Sequence, residues 1–159
     1  VRHKSFEGMN CPIALTLDEV GEWWSLLIIR DALHGLTRFD EFQQSLGISP
    51  NSLTRRLNAL CDAGLLARHR YQDRPPRDEY LLTDRGKDLQ AVIESIAAWG
   101  RRHITQRDGA VRLQDTVTGL EAEPVLVDRR TGTAVTPDQF RYVATQAAPP
   151  IKLAKMPHA

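Results

Sequence analysis

The chain has 159 residues, 42% of them hydrophobic, enough for one main domain with its own core and an appendage. Lys and Arg number 21 against 20 Asp and Glu, a formal net charge of +1, so a surface for a polyanion has to come from local clustering of charge. Two cysteines exclude a disulfide framework. The apolar run Trp23–Ile29 is too short to span a membrane, and no signal-peptide pattern opens the sequence. We therefore expect a cytoplasmic protein that does not contact the membrane, and a chain that begins at Val1 is expected to lack its native start.

In chain order, Cys11 lies at the start of a first helix, where the dipole can lower a thiol pKa. A second informative helix starts at Thr37, whose hydroxyl can cap the free amides of the next turn, with Asp40 and Glu41 on the favourable side of the dipole. Phe39, Phe42 and Leu46 form its apolar stripe, and Gly47 ends it, as a residue that tolerates positive φ should. Ser49-Pro50 then restarts a helix, with serine as N-cap and proline at the first helical position. So few residues between two helices force the sharp corner of a helix-turn-helix.

The helix from Pro50 to about Ala63 keeps Leu53, Leu57, Leu60 and, beyond the turn, Leu65 on the core side. Its opposite face carries Asn51, Arg55 and Asn58, with Ser52 and Ala59 beside them and Thr54 and Arg56 on the flanks. Arg and Asn make paired hydrogen bonds to guanine and adenine edges in the major groove, and Ser and Thr can bind bases or phosphates. An isolated helix with such a face is more often simply solvated; the turn before it and the hairpin after it change that balance. Ala67–Tyr71 and Glu79–Thr83 read as strands around a turn-rich loop, 72–78, stiffened by Pro75 and Pro76. Arg74 and Arg77 sit on the loop, and Arg68 and Arg70 share a face of the incoming strand. Residues 49–77 hold these four arginines with Arg55 and Arg56 against Asp62 and Asp73, a concentration of positive charge where a phosphate backbone would lie.

After Gly86, Leu89, Val92, Ile93, Ile96 and Trp99 recur at helical spacing on one long helix ending near His103. That stripe is more than one small domain can cover, and packing on a second copy is the economical use of it; the alternative is that it caps its own core. In the tail, Asp115-x-x-Thr118-Gly119 and Asp128-x-x-Thr131-Gly132 repeat. Their spacing imitates the paired knuckles of a zinc ribbon with the thiolates missing, so no metal is expected. Two turns are expected instead, each with an Asx-type bond and a glycine at positive φ, together with strands at Glu123–Asp128 and Phe140–Thr145. A weak oxygen-ligand cation site is the alternative. Residues 147–159, rich in Pro and Ala, read as a mobile extension or an arm.

These residues carry a family pattern. Cys11-Pro12, Gly21-Glu22-Trp23-Trp24, Leu26-Leu27-Ile28-Ile29-Arg30-Asp31, Arg38-Phe39-Asp40-Glu41-Phe42, Ile48-Ser49-Pro50 and Leu53-Thr54-Arg55-Arg56-Leu57 stand in order. The set continues with Arg74-Pro75-Pro76-Arg77-Asp78-Glu79-Tyr80, Leu82-Thr83-Asp84-Arg85-Gly86 and Ala98-Trp99-Gly100. From Cys11 to about Trp99 the chain resembles the HxlR family of bacterial transcriptional regulators, relatives of the MarR type. The resemblance implies a homodimeric winged-helix DNA-binding protein whose dimer is made by residues before and after the winged helix. In that family the Cys-Pro position is the one used by redox- and electrophile-sensing members, which makes Cys11 the candidate sensor; its alternative role is a small packing residue near the dimer interface.

The expected fold is mainly α with a small β part (α+β). Residues 1–108 form a winged helix-turn-helix with its long dimerisation helix, 109–146 a metal-free ribbon-like appendage, and 147–159 a flexible tail. The expected function is a sequence-specific regulator, a repressor, that binds double-stranded DNA as a homodimer on an inverted repeat. Asn51, Ser52, Thr54, Arg55 and Asn58 would face the groove and Arg56 the phosphates. Thr37, Arg38 and Ser49 would meet phosphates at helix N-termini, and Arg68, Arg70, Arg74 and Arg77 would reach the backbone or minor groove. Leu89, Val92, Ile93, Ile96 and Trp99 would form the dimer. The input would be a small-molecule effector, in a pocket under Trp23 and Trp24, or an oxidant at Cys11. No cofactor is implied: there is no nucleophile–base pair, phosphate loop or metal set, and His3, His34, His69, His103 and His158 are scattered, although His69 could join the basic wing face. Cys61 reads as packing beneath the wing. The rival from another class is a winged helix used for protein–protein contacts without DNA.

Overall fold

The computed structural model describes residues 6–9, 11–104 and 111–157. It comprises two compact units, Val1–Glu94 and Ser95–Ala159, and the boundary expected at 108/109 lies outside the described residues. The first unit holds α1 (Pro12–Val20), α2 (Trp23–Leu33), α3 (Phe39–Leu46), α4 (Pro50–Asp62), β1 (Leu66–Asp73), β2 (Pro76–Leu82), α5 (Asp84–Lys87) and the start of α6 (Gln90–His103). The chain is mainly helical with one antiparallel hairpin, as the sequence predicts.

α2, α3 and α4 turn their apolar stripes to one core. Ile28 and Ile29 of α2, Phe42 of α3 and Leu53, Leu57 and Leu60 of α4 are fully buried, joined by Val20, Ile48, Leu65, Leu66 and Tyr80. Burying a leucine of this kind contributes roughly 1.5–3 kcal/mol. Gly47, at φ 62°, stops α3. Ile48 then drops into the core, and Pro50 opens α4 behind the N-cap Ser49, whose Oγ accepts from the Ser52 N–H at 3.4 Å. The corner therefore forms as its residue types demand.

The start of α3 differs from expectation. Thr37 is not its cap, because its backbone already pairs with β2: the Thr37 carbonyl accepts from Tyr80 N–H at 2.7 Å, and Arg38 bridges Glu79. The orphan amides go to a carboxylate instead. Glu41 Oε2 accepts from Thr37 N–H at 2.8 Å and Arg38 N–H at 2.9 Å. These two bonds hold the Glu41 carboxyl below its ordinary pKa.

The hairpin is also longer than expected, because the strands run almost to the tip. Asp73 pairs with Pro76, so the 72–78 loop shrinks to Arg74-Pro75. Pro76 is tolerated because it opens its strand. A register shift between Arg70 and Gln72 leaves Tyr71 as a bulge. Thr83, expected in the strand, is the N-cap of α5: its Oγ accepts from Gly86 N–H at 3.1 Å and donates to the Gly64 carbonyl at 2.7 Å.

The long helix expected after Gly86 forms as α6 and ends at His103, but it begins at Gln90, so Leu89 lies just before it, between it and the short α5. In the second unit the turn expectation holds. Asp115 Oδ1 accepts from Val117 and Thr118 N–H at 2.7 and 3.0 Å, and Asp128 Oδ1 from Arg130 N–H at 3.2 Å. Gly119 and Gly132 have φ of 71° and 70°. The expected strands do not form. Each turn is closed by one isolated bridge, Gln114–Glu121 and Val127–Ala134, and exposed Val125 and Leu126 belong to no sheet among the described residues. The tail carries a short helix, α7 (Pro150–Leu153), and the Pro157 carbonyl accepts from Ala144 N–H at 2.7 Å.

Candidate nucleic-acid interface

The geometry follows from the core just described. Because Leu53, Leu57 and Leu60 point inward, the other side of α4 must point out: Asn51, Thr54, Arg55 and Asn58 are exposed, and Ser52 and Arg56 are half-buried on the flanks. Ser52 Oγ accepts from Ser49 Oγ–H at 3.0 Å, and Thr54 Oγ1 donates to the Pro50 carbonyl at 2.9 Å. Both hydroxyls keep further hydrogen-bonding capacity.

The six arginines of this region divide into two sets. Arg56 pairs with Glu22 at 3.1 Å. Arg68 donates to Asn58 Oδ1 and lies over the Tyr80 ring at 5.5 Å. Arg70 pairs with Asp78 at 3.0 Å, and neighbouring His69 faces Glu79 at 3.0 Å. Among the described residues, the guanidinium groups of Arg55, Arg74 and Arg77 have no hydrogen-bond or ion-pair partner. The sequence expects all six to contact DNA, because Glu22 and Asp78 meet Arg56 and Arg70 only through folding. Arg38 stacks over Tyr71 at 4.8 Å, and that ring belongs to the bulge. Thr37 lies beside the hairpin, its carbonyl bonded to Tyr80 N–H, and is not a helix cap, while Ser49 stands at the exposed N-terminus of α4.

The proposed dimer stripe also divides. Leu89 and Ile93 pack against the core of their own chain. Val92, Ile96 and Trp99 are 43%, 51% and 56% exposed, and Trp99 meets the His103 ring at 5.3 Å. Trp23 is 86% exposed and so encloses no pocket, whereas Trp24 packs against the core. Both cysteines are half-buried thiols. Burial pushes the Cys61 thiol above its usual pKa, with Arg68 opposing, which makes it a poor nucleophile. Cys11 is the N-cap of α1. Among the described residues no three His, Cys, Asp or Glu side chains converge on a metal position, and no helix is long and apolar enough to cross a membrane. His3 and His158 lie outside the described residues.

The comparisons with known proteins agree with this fold. Residues 19–108 match the HxlR-like helix-turn-helix family. The chain is 36% identical over 148 residues to the HTH-type transcriptional regulator Rv3095 of Mycobacterium tuberculosis, covering 92% of this chain and 90% of that one. Among solved structures, the candidate transcription factor PA1607 superposes with a TM-score of 0.76 at 33% identity, over 87% of this chain and 98% of its own. The redox regulator HypR in its reduced form superposes with a TM-score of 0.55 at 31% identity, covering 59% of this chain and 96% of HypR. The chain belongs to the HxlR family of helix-turn-helix transcriptional regulators.

Proposed function

We propose that this regulator is a homodimer that binds double-stranded DNA sequence-specifically on an inverted repeat and represses transcription there. The observation that carries the reading is the set of uncommitted donors: Arg55 on the outer face of α4, and Arg74 and Arg77 at the hairpin tip. Arg55, with Asn51 and the amide nitrogen of Asn58, suits base edges in the major groove. Arg74 and Arg77 suit phosphates or the adjacent minor groove. Exposed Val92, Ile96 and Trp99 supply an apolar seam for a two-fold partner, which would set two reading helices about 34 Å apart.

Selection of bound duplexes from a random pool tests this directly. The expected result is an enriched inverted repeat, with Arg55→Ala losing roughly 1–3 kcal/mol and discrimination at one base pair. A pool that shows no enrichment and no retention at low salt would overturn it in favour of a protein-binding winged helix. A second reading adds thiol control at Cys11, favoured by its place at the N-terminus of α1 and by the likeness to HypR. It requires that a thiol oxidant release the selected duplex from the wild type and not from Cys11→Ser.

A further inference from the structure

Of the arginines engaged within the molecule, Arg56 is the one carried by α4 itself. Its Nη2 lies 3.1 Å from Glu22 Oε1, with the two side chains 19% and 39% exposed. Arg55, one position earlier, is exposed. Glu22 is the N-cap of α2, at the corner where α1 gives way to α2. The other carboxylate of that corner, Glu19, is already taken by Arg85, which also donates to the Ala63 carbonyl at the end of α4. Glu22 is therefore the carboxylate matched to Arg56.

We propose that Glu22 is a positioning residue that keeps Arg56 from the phosphate backbone. The proposal rests on the DNA-binding reading above. A carboxylate and a phosphate compete for the same guanidinium donors, and a half-buried pair formed before the encounter withdraws one cation from the surface. Sequence-independent affinity is set by how many phosphates are neutralised, each contributing about 0.9 to the slope of log K against log salt. Base readout by Arg55 does not depend on that count. Holding Arg56 back lowers binding to every duplex alike and leaves discrimination to Arg55 and its neighbours. Glu22 thus sets the sequence-independent affinity and its salt dependence without touching DNA.

The test uses the full chain and a labelled random-sequence duplex, followed by fluorescence anisotropy from about 50 to about 200 mM salt. Glu22→Gln is expected to steepen the slope by about 0.9 and to tighten low-salt binding severalfold. Arg56→Gln should match the wild type, and the double variant Glu22→Gln/Arg56→Gln should return to it. A brace with a structural role alone would lower the thermal midpoint of Glu22→Gln and leave the slope alone, which overturns the proposal. So does an Arg56→Gln slope shallower than wild type by about 0.9, since Arg56 would then leave Glu22 for a phosphate in the complex. A wild type that binds no duplex overturns the DNA reading itself; a wild type that binds while Glu22→Gln has an unchanged slope overturns this proposal alone.

Discussion

Glu41 shows how much one side chain can organise in this fold. Its carboxylate accepts the amides of Thr37 and Arg38, and so fixes the residues that both open α3 and pair with β2. Because these bonds favour the charged form, the folded-state pKa lies below the unfolded one. The stability they contribute is therefore present above the ordinary glutamate pKa, about 4.3, and is lost as pH falls through the lower folded value. Glu41→Gln keeps one acceptor oxygen but cannot titrate. Its loss of stability between pH 7 and pH 3, read from denaturant midpoints, should be smaller than that of the wild type; equal losses would place the acid sensitivity elsewhere. Gly86 is sensitive for a steric reason. A Cβ there would stand 2.2 Å from the Leu65 carbonyl oxygen and 2.9 Å from Leu82 Cδ2. Backbone cannot yield as a side-chain tip can, so Gly86→Ala should cost about 1–3 kcal/mol, and a thermal midpoint equal to wild type would contradict that packing.

At the scale of elements, α6 and Leu89 just before it serve two purposes with one stripe. Leu89 and Ile93 close the core of their own chain, while Val92, Ile96 and Trp99 remain exposed. Ile93→Ala should therefore destabilise the fold, by roughly 2–5 kcal/mol if the site behaves as core. Ile96→Asp should leave the thermal midpoint of the protomer nearly unchanged and convert a dimer to a monomer in light scattering. A dimer that survives Ile96→Asp would refute the seam. The helix-turn-helix was legible in the sequence because its signals are local: Gly47 at positive φ, Ser49 as cap, Pro50 at the first helical position and leucines on a helical period. The hairpin tip and the start of α3 were not. Both are decided by pairing between β1, β2 and the Thr37-Arg38 segment, which no short window contains. The division of the arginines was hidden for the same reason, since Glu22 meets Arg56 only once α2 and α4 share a core.

Across the whole molecule the two compact units are built on different principles. The core residues run from Val20 to Tyr80, with Leu89 and Ile93 packed against them, all within the first unit. The second unit buries Ala144 alone among its described residues and leaves Val117, Val125, Leu126 and Tyr142 exposed. It is held by turns: Asx bonds at Asp115 and Asp128, glycines at positive φ, and the Ala144–Pro157 bond. These turns were legible because aspartate, threonine and glycine act within a few residues of one another. Hydrogen bonds of this exposed kind contribute about 1 kcal/mol each at best, and without a buried apolar set they do not sum to a cooperative unit. A chain ended after Ile104 should therefore keep the winged helix intact. Its circular dichroism melt should remain a single cooperative transition with a midpoint within a few degrees of full length, because the core residues named above all precede Ile104. The full chain should likewise melt in one transition, because the described residues of the second unit bury Ala144 alone. A truncated chain that melts without cooperativity would mean that the second unit supplies stability through contacts its own composition does not reveal.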